Sequence, residues 1–219
     1  MHILLISSSP RKEESQTFLL AKEILKGFPG SVKSEIIHLC DCKIEFCRHC
    51  EFCHKIIMKC PIKDDVNMIL EKMLKAGGII MASPNYINQV TASMKALWDR
   101  SSHFIHCLRL LDKYIAGAVS SGSGEDKAVL DYIAQYAHIC GAQYSGGVSS
   151  RAPVSKEKME EAVNVGKKLI LDIQEKIKFP EQIENIERFK KHFRYVVQMR
   201  KDDWKEEYQY WRDKGWLGG

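Results

Sequence analysis

No apolar run in these 219 residues approaches the roughly 20 needed to cross a bilayer as a helix, so a membrane-spanning helix is not expected. The opening MHILLISSSPRKEE lacks a basic stretch ahead of a long apolar segment, which argues against a secretory signal and leads to the expectation of a cytoplasmic protein. Basic residues form no block. The 33 Lys and Arg are interleaved with 28 Asp and Glu, and the formal charge is only +5, so nucleic acid is not an expected partner while small anions remain open. Internal repeats and low-complexity segments are absent. So are the G-x-G-x-x-G loop of dinucleotide sites and the G-x-x-x-x-G-K loop of nucleoside-triphosphate sites.

What is present suits one domain with a short appendage: 45% apolar and 28% charged residues in a chain long enough to bury a sizeable core. Eight cysteines in a reducing compartment read as free thiols or metal ligands before they read as disulfides.

Short apolar runs alternate with helical periodicity along the chain. HILLIS, SEIIHL, GGIIMAS, YIAGAVSS and AQYSGGVS read as strands. Between them, TFLLAKEILKGF, the run Val66, Ile69, Leu70, Met73, Leu74 behind Asp64 and Asp65, TASMKALWDRSSHF, and EDKAVLDYIAQYAHICG read as helices. A long amphipathic helix, KEKMEEAVNVGKKLILDIQEKI, follows and Pro180 punctuates its end. Five strand–helix units need crossover connections, so the sheet is expected to be parallel and covered on both faces, a doubly wound α/β fold. The chain divides on this reading into residues 1–180 and an extension over 181–219. That extension is charged yet rich in aromatics, which suits either a helical appendage packed on its own domain or an arm at a dimer interface.

In an open parallel sheet, ligands sit at the carboxyl ends of the strands. The first such loop, SSSPRKEESQT, is built from hydroxyls. Ser7, Ser8, Ser9, Ser15 and Thr17, with the free N–H groups of the following helix and the charged fork of Arg11, are able to wrap a terminal phosphate; an ordinary capped turn is the alternative. After the third strand, Pro84 stiffens a loop in which Asn85 offers an amide and Tyr86 a flat face. After the fourth, Gly122 and Gly124 allow backbone to approach a ligand closely. The three loops together describe a planar cofactor with a phosphate tail.

Cys47, Cys50, Cys53 and Cys60 form C-x2-C-x2-C-x6-C, within the cysteine-rich segment 40–63 after the second strand. Four thiolates so placed suit a [4Fe–4S] cluster. Zinc, with His49 or His54 as substitutes, and ligand-free thiols remain open. Cys42, Cys47 and Cys50 also spell the C-x4-C-x2-C of a [2Fe–2S] site, which would leave Cys53 or Cys60 without a role. Cys107 and Cys140 lie in helical stretches and read as core.

These stretches resemble the flavodoxin-like NAD(P)H-dependent FMN reductases and, within them, the iron–sulfur flavoproteins. ISSSPRKEESQT is similar to the family's phosphate loop, SPNYINQVTASMKALWDR to its flavin-ring loop and following helix, and the cysteine run to its cluster motif. Two departures stand out: Ser8 replaces the usual glycine, and Arg11 to Thr17 is a residue longer than the common form. The resemblance implies a five-stranded sheet in the order 2-1-3-4-5. It implies FMN with its phosphate on Ser9, Arg11, Ser15, Gln16 and Thr17, and its ring against Pro84, Asn85, Tyr86, Ile87 and the loop Ser121, Gly122, Ser123, Gly124. It also implies ferredoxin or another small carrier as electron donor, and homodimers or homotetramers in which one subunit's cluster lies near a neighbour's FMN. The expected function is electron transfer between a one-electron carrier and FMN or a small-molecule acceptor. The alternatives are an NAD(P)H-dependent reductase of flavin, quinone or nitro compounds without a cluster, and a zinc- or thiol-based interaction module. His103 and His106 read as core or surface residues ahead of groups at the flavin edge.

Overall fold

The computed structural model describes residues 1–218. Its strands are β1 (His2–Ser7), β2 (Lys33–His38), β3 (Gly78–Pro84), β4 (Tyr114–Ser121) and β5 (Gln143–Arg151). They form one all-parallel sheet in the order β2-β1-β3-β4-β5, as the resemblance implies. Ile3 opposes Ser34 on one side and Gly78 on the other, so β1 lies inside the sheet and the partly charged β2 at its edge.

Alternation along the central strands sends side chains to two cores. Leu4, Ile6, Ile79, Met81 and Ile115 face α3 (Val66–Lys75), α4 (Ala92–Asp99) and α6 (Lys127–Ile139). Ile3, Leu5, Ile80 and Ala116 face α1 (Gln16–Lys26) and α7 (Lys156–Gln174). The near-continuous apolar reading of these strands follows from burial on both faces.

One local expectation is corrected and a second holds in part. TASMKALWDRSSHF is not one helix: it breaks at Arg100 and Ser101 into α4 and α5 (Ser102–His106). Ser101 Oγ donates back to the Trp98 carbonyl at 2.8 Å and meets Tyr136 Oη at 2.9 Å, a local bond that competes with helix continuation. Asp64 and Asp65 precede α3, but Asp65 does not cap it through its side chain. Its Oδ2 accepts from the Lys43 amide at 2.7 Å, while Asp64 Oδ1 accepts from the Val66 amide at the helix start at 3.3 Å and the same carboxylate bonds Arg100.

The segment after β2 runs through irregular backbone to the short helix α2 (Phe52–Lys55) and on to α3. Beyond α7, α8 (Pro180–Met199) and α9 (Lys205–Asp213) fold back on the chain. They close a third apolar cluster of Ile186, Phe193, Val197 and Trp211 with Cys107 and Leu108. The aromatic-rich extension thus packs on its own chain. Cys107 and Cys140 are buried in the cores. No helix among the described residues is long and apolar enough to cross a membrane.

Helices α1 and α7 meet backbone to backbone. A Cβ on Gly166 would stand 2.0 Å from the Ile24 carbonyl oxygen, and one on Gly27 2.2 Å from that of Val163. Gly166→Ala therefore forces the two helices apart and is expected to lower stability by about 2 kcal/mol, read from the urea midpoint, despite alanine's better helix propensity.

Candidate functional site

A crevice of about 240 Å³ opens at the carboxyl ends of β1, β3 and β4. Its walls include Ser9, Arg11, Ser15, Gln16 and Thr17 from the first loop, Pro84, Asn85 and Tyr86 from the second, and Ser121 and Gly122 from the third. Ile87, Ser123 and Gly124 lie outside these walls. Ile87 is 98% exposed at the tip of a turn, with Ile87 and Asn88 both at positive φ and Tyr86 and Gln89 exchanging backbone hydrogen bonds. Gly124, at φ +86°, donates its N–H to Ser121 Oγ at 2.8 Å and shapes the rim.

The first loop contains one 3-10 turn, Lys12–Glu14. Glu13 turns away to pair with Lys22 at 2.9 Å, so neither it nor Glu14 enters the crevice. Ser15 caps α1 by accepting from the Phe18 amide at 3.3 Å. The amides of Gln16 and Thr17 lie at the positive end of the helix and lack intrahelical partners. Gln16 Oε1 accepts from the Val154 amide at 2.8 Å, which fixes that side chain against the end of β5. Thr17 Oγ1 meets Ser120 Oγ at 2.6 Å. Ser120 and Ala152 also line the crevice and were missed from sequence. The signal for Ser120 was its place at the end of an apolar strand; Ala152 has none.

Asn85 Nδ2 donates to the Glu125 carbonyl at 3.0 Å and to Asp126 Oδ1 at 3.1 Å. Its Oδ1 is thereby left as a buried acceptor without a partner. A buried acceptor of this kind asks for a donor from a ligand. Helix-end amides, hydroxyls and a guanidinium at one end and an acceptor and an aromatic face at the other suit a planar ligand with an anionic tail.

A second cavity shares no wall residue with the first. Cys47, Cys50, Cys53 and Cys60 all line it, together with Arg100 and Ser102. Left-handed backbone at His49, Glu51 and Met58 curls the segment so that the four thiols converge. Cys42 lies outside, half-buried, with its thiol on the His38 carbonyl at 3.6 Å, and Cys40 is exposed. All eight cysteines are free.

Donors reach the sulfurs: Arg100 Nη2 to Cys60 at 3.3 Å, the His49 amide to Cys47 at 3.4 Å, and Ser102 Oγ beside Cys53 at 3.7 Å. Burial pushes the Cys53 thiol up to about 11. Four thiols in a tetrahedral zinc site would stand about 3.8 Å apart, given Zn–S bonds near 2.3 Å. Among the described residues the one group of three or more candidate ligands within 4.8 Å of one another is His54, His106 and Glu207, so the sulfurs are spread wider than zinc requires.

That second group went unseen in the sequence. His54 Nδ1 lies 2.6 Å and His106 Nδ1 3.1 Å from the two oxygens of Glu207, which is fully buried. The two imidazoles stack at 4.6 Å, and Trp204 packs on both. Burial alone would raise the Glu207 pKa; the hydrogen bonds from His106 and His54 outweigh it and hold the carboxyl below its ordinary range. His103 is buried against Met58, and desolvation pushes it down to about 3. Both helix-end histidines thus serve the packing of the cysteine segment and line no part of the crevice.

The fold and its crevice at the strand ends define a flavodoxin-like α/β protein. Residues 1–153 match the family model for NADPH-dependent FMN reductase, and the chain belongs to that family. It is 38% identical over 126 residues to an iron–sulfur flavoprotein of Methanocaldococcus jannaschii, covering 58% of this chain and 64% of that protein. A second match of 37% identity, to an iron–sulfur flavoprotein of Archaeoglobus fulgidus, covers 60% of its length, so the chain spans somewhat under two thirds of these relatives. Among solved structures, a flavone reductase superposes with a TM-score of 0.64 at 18% identity over 80% of this chain and 63% of its own, which shows the shared fold.

Glu207→Gln keeps the shape but leaves the two histidines without their anion. Losing one partner of a buried pair is expected to cost about 3 kcal/mol near pH 7. In the parent the carboxylate's contribution is fully present above its ordinary value of 4.5 and is lost as pH falls through the lower folded value. Urea titrations at pH 7 and pH 3 are expected to show the gap between parent and variant closing in acid.

Proposed function

We propose that this chain is a flavin-dependent oxidoreductase that holds FMN in the hydroxyl-lined crevice and a [4Fe–4S] cluster on Cys47, Cys50, Cys53 and Cys60. In this reading it moves electrons between a one-electron carrier such as ferredoxin and a small-molecule acceptor. One observation carries the reading: all four cysteines of the C-x2-C-x2-C-x6-C run line a single cavity in a chain of an FMN-reductase family.

The residues fit both groups. The phosphate would be held by the Gln16 and Thr17 amides, the Ser9 and Thr17 hydroxyls and Arg11, at the helix end where negative charge is favoured. Asn85 Oδ1, an acceptor without a partner, would take a donor from the ring, and Tyr86 would offer it a flat face. Ile87, Ser123 and Gly124 belong to the rim, where the ring or a substrate meets solvent. Four thiolates complete the ligand set that a four-iron cluster needs, while Cys42, outside the cavity, weighs against the [2Fe–2S] spacing.

Bound FMN exchanges electrons in pairs with hydride donors or organic acceptors and singly with an iron–sulfur centre. The protein supplies binding, orientation and access. Cys47 and Cys50 are exposed, Arg48 lines their cavity, and Lys55 and Lys59 are exposed in the same segment, cations suited to an acidic electron carrier. NAD(P)H is the alternative donor that the family description suggests. The active assembly is a homodimer or homotetramer in the cytoplasm, with one subunit's cluster near a neighbour's flavin. The exposed Tyr86 and Ile87 at the crevice rim supply an apolar contact for it.

Anaerobic purification, followed by iron and sulfide analysis and an absorption spectrum, tests the reading. Flavin bands with an iron–sulfur shoulder that bleaches on reduction are expected, and each of Cys47→Ser, Cys50→Ser, Cys53→Ser and Cys60→Ser loses the shoulder while Cys42→Ser keeps it. A flavin spectrum without iron, with fast reduction by NADPH, would assign the chain to the cluster-free reductases. Arg11→Ala is expected to weaken FMN binding about tenfold, measured by quenching of flavin fluorescence.

A further inference from the structure

Arg100 closes α4, the helix that starts at the crevice loop, and its side chain is 1% exposed. Nη1 donates to the Glu45 carbonyl at 2.8 Å and to Asp64 Oδ2 at 2.6 Å. Nη2 donates to Asp64 Oδ1 at 3.0 Å and to Cys60 Sγ at 3.3 Å. Among the described residues the three other cysteines of the cavity have no cationic donor: Cys47 meets a backbone amide and Cys53 a hydroxyl, and Cys60 is the one bonded by a full positive charge.

We infer that Arg100 is a positioning residue for the cluster, one that fixes Cys60 and raises the cluster's reduction potential through the charged N–H···S bond. The inference rests on the cluster assignment above. Reduction adds one negative charge, from the one-electron carrier in the proposed reaction or from dithionite in a titration. A cationic donor on a ligand sulfur stabilises that added charge more than it stabilises the oxidised state. Asp64 opposes it. The carboxylate, also 1% exposed, neutralises most of the guanidinium and is itself held by the Glu45 amide at 2.9 Å and the Val66 amide at 3.3 Å. The potential is therefore set by a balanced pair, and removing either partner unbalances it in a known direction.

The test is a redox titration of the full chain with FMN bound, the cluster followed by electron paramagnetic resonance and iron counted in each sample. Arg100→Gln is expected to shift the cluster midpoint to lower potential, and Asp64→Asn, which leaves the guanidinium unopposed, to higher potential. The double variant, with no buried charge, should fall between them. A role in loop closure alone predicts no such opposition of sign. The inference is overturned if the filled variants keep the parent midpoint or move the same way, or if both single variants lose the cluster. If Arg100→Gln alone loses it, the direction of the Asp64→Asn shift decides. Absence of iron from the parent protein would instead defeat the cluster assignment, a separate outcome.

Discussion

The cysteine segment leaves the sheet after β2 and rejoins the fold at α3, and the buried pair of Arg100 and Asp64 closes the loop between. Glu45, ahead of the first cavity cysteine, gives its carbonyl to the guanidinium and its amide to the carboxylate. Cys60 and Val66, on the returning limb, give a sulfur and an amide to the same pair. Both limbs are thus fixed to the end of α4 by one hub. Replacing such a pair by apolar side chains is often neutral for stability, so its value here lies in geometry. A planar fork that bonds three partners at once sets where the thiols stand, and a lysine at this position has no such fork.

The C-terminal helices hold the other side of the same segment. Glu51 has left-handed backbone and accepts from Arg200 at 2.5 Å and from Trp204 Nε1 at 3.2 Å, which offsets the strain of that conformation. Glu206 accepts from the Ile57 amide at 2.7 Å, and Glu207 gathers His54 and His106. These contacts explain why an extension so rich in charge carries buried tryptophans. Trp204 and Trp211 fill the space over α5 and α2 while the acidic side chains beside them bond the cysteine segment.

Much of this was legible in the sequence. Strand and helix periodicity carried the sheet, and the position of the loops after the first, third and fourth strands carried the crevice, because a parallel sheet sends its binding loops to one edge. The spacing of Cys47, Cys50, Cys53 and Cys60 carried their convergence on one cavity. What stayed hidden depends on contacts between distant residues. Arg100 looked like a late residue of one long helix, and nothing local marks it as a partner of Asp64, 36 positions earlier. Asp64 and Asp65 looked like capping residues because their type and place suit a helix start; Asp64 does accept from the Val66 amide there while also holding Arg100, whereas a tertiary bond to the Lys43 amide claims Asp65. Glu207 is one acid among many in a charged tail, and only the fold brings it to two histidines about 100 and 150 positions away.

The two cavities are built on different physical grounds, and this bears on how they share one chain. The crevice is formed by strand ends and a helix start whose positions are fixed by sheet hydrogen bonds and two apolar cores. The cysteine segment that forms the thiol cavity has little regular structure of its own beyond the four residues of α2, and His49, Glu51 and Met58 in it adopt left-handed backbone. Side-chain ties from α4, α5 and α9 replace the sheet as its frame. Local stability follows the density of such support, so the thiol segment is the part of the chain expected to open first. Four ligands on one metal centre would bind the folded segment and not the unfolded one, and would stabilise it by mass action. The arrangement thus couples the order of the cysteine segment to what its thiols hold, while leaving the crevice at the far end of an eight-residue helix, roughly 12 Å long, undisturbed.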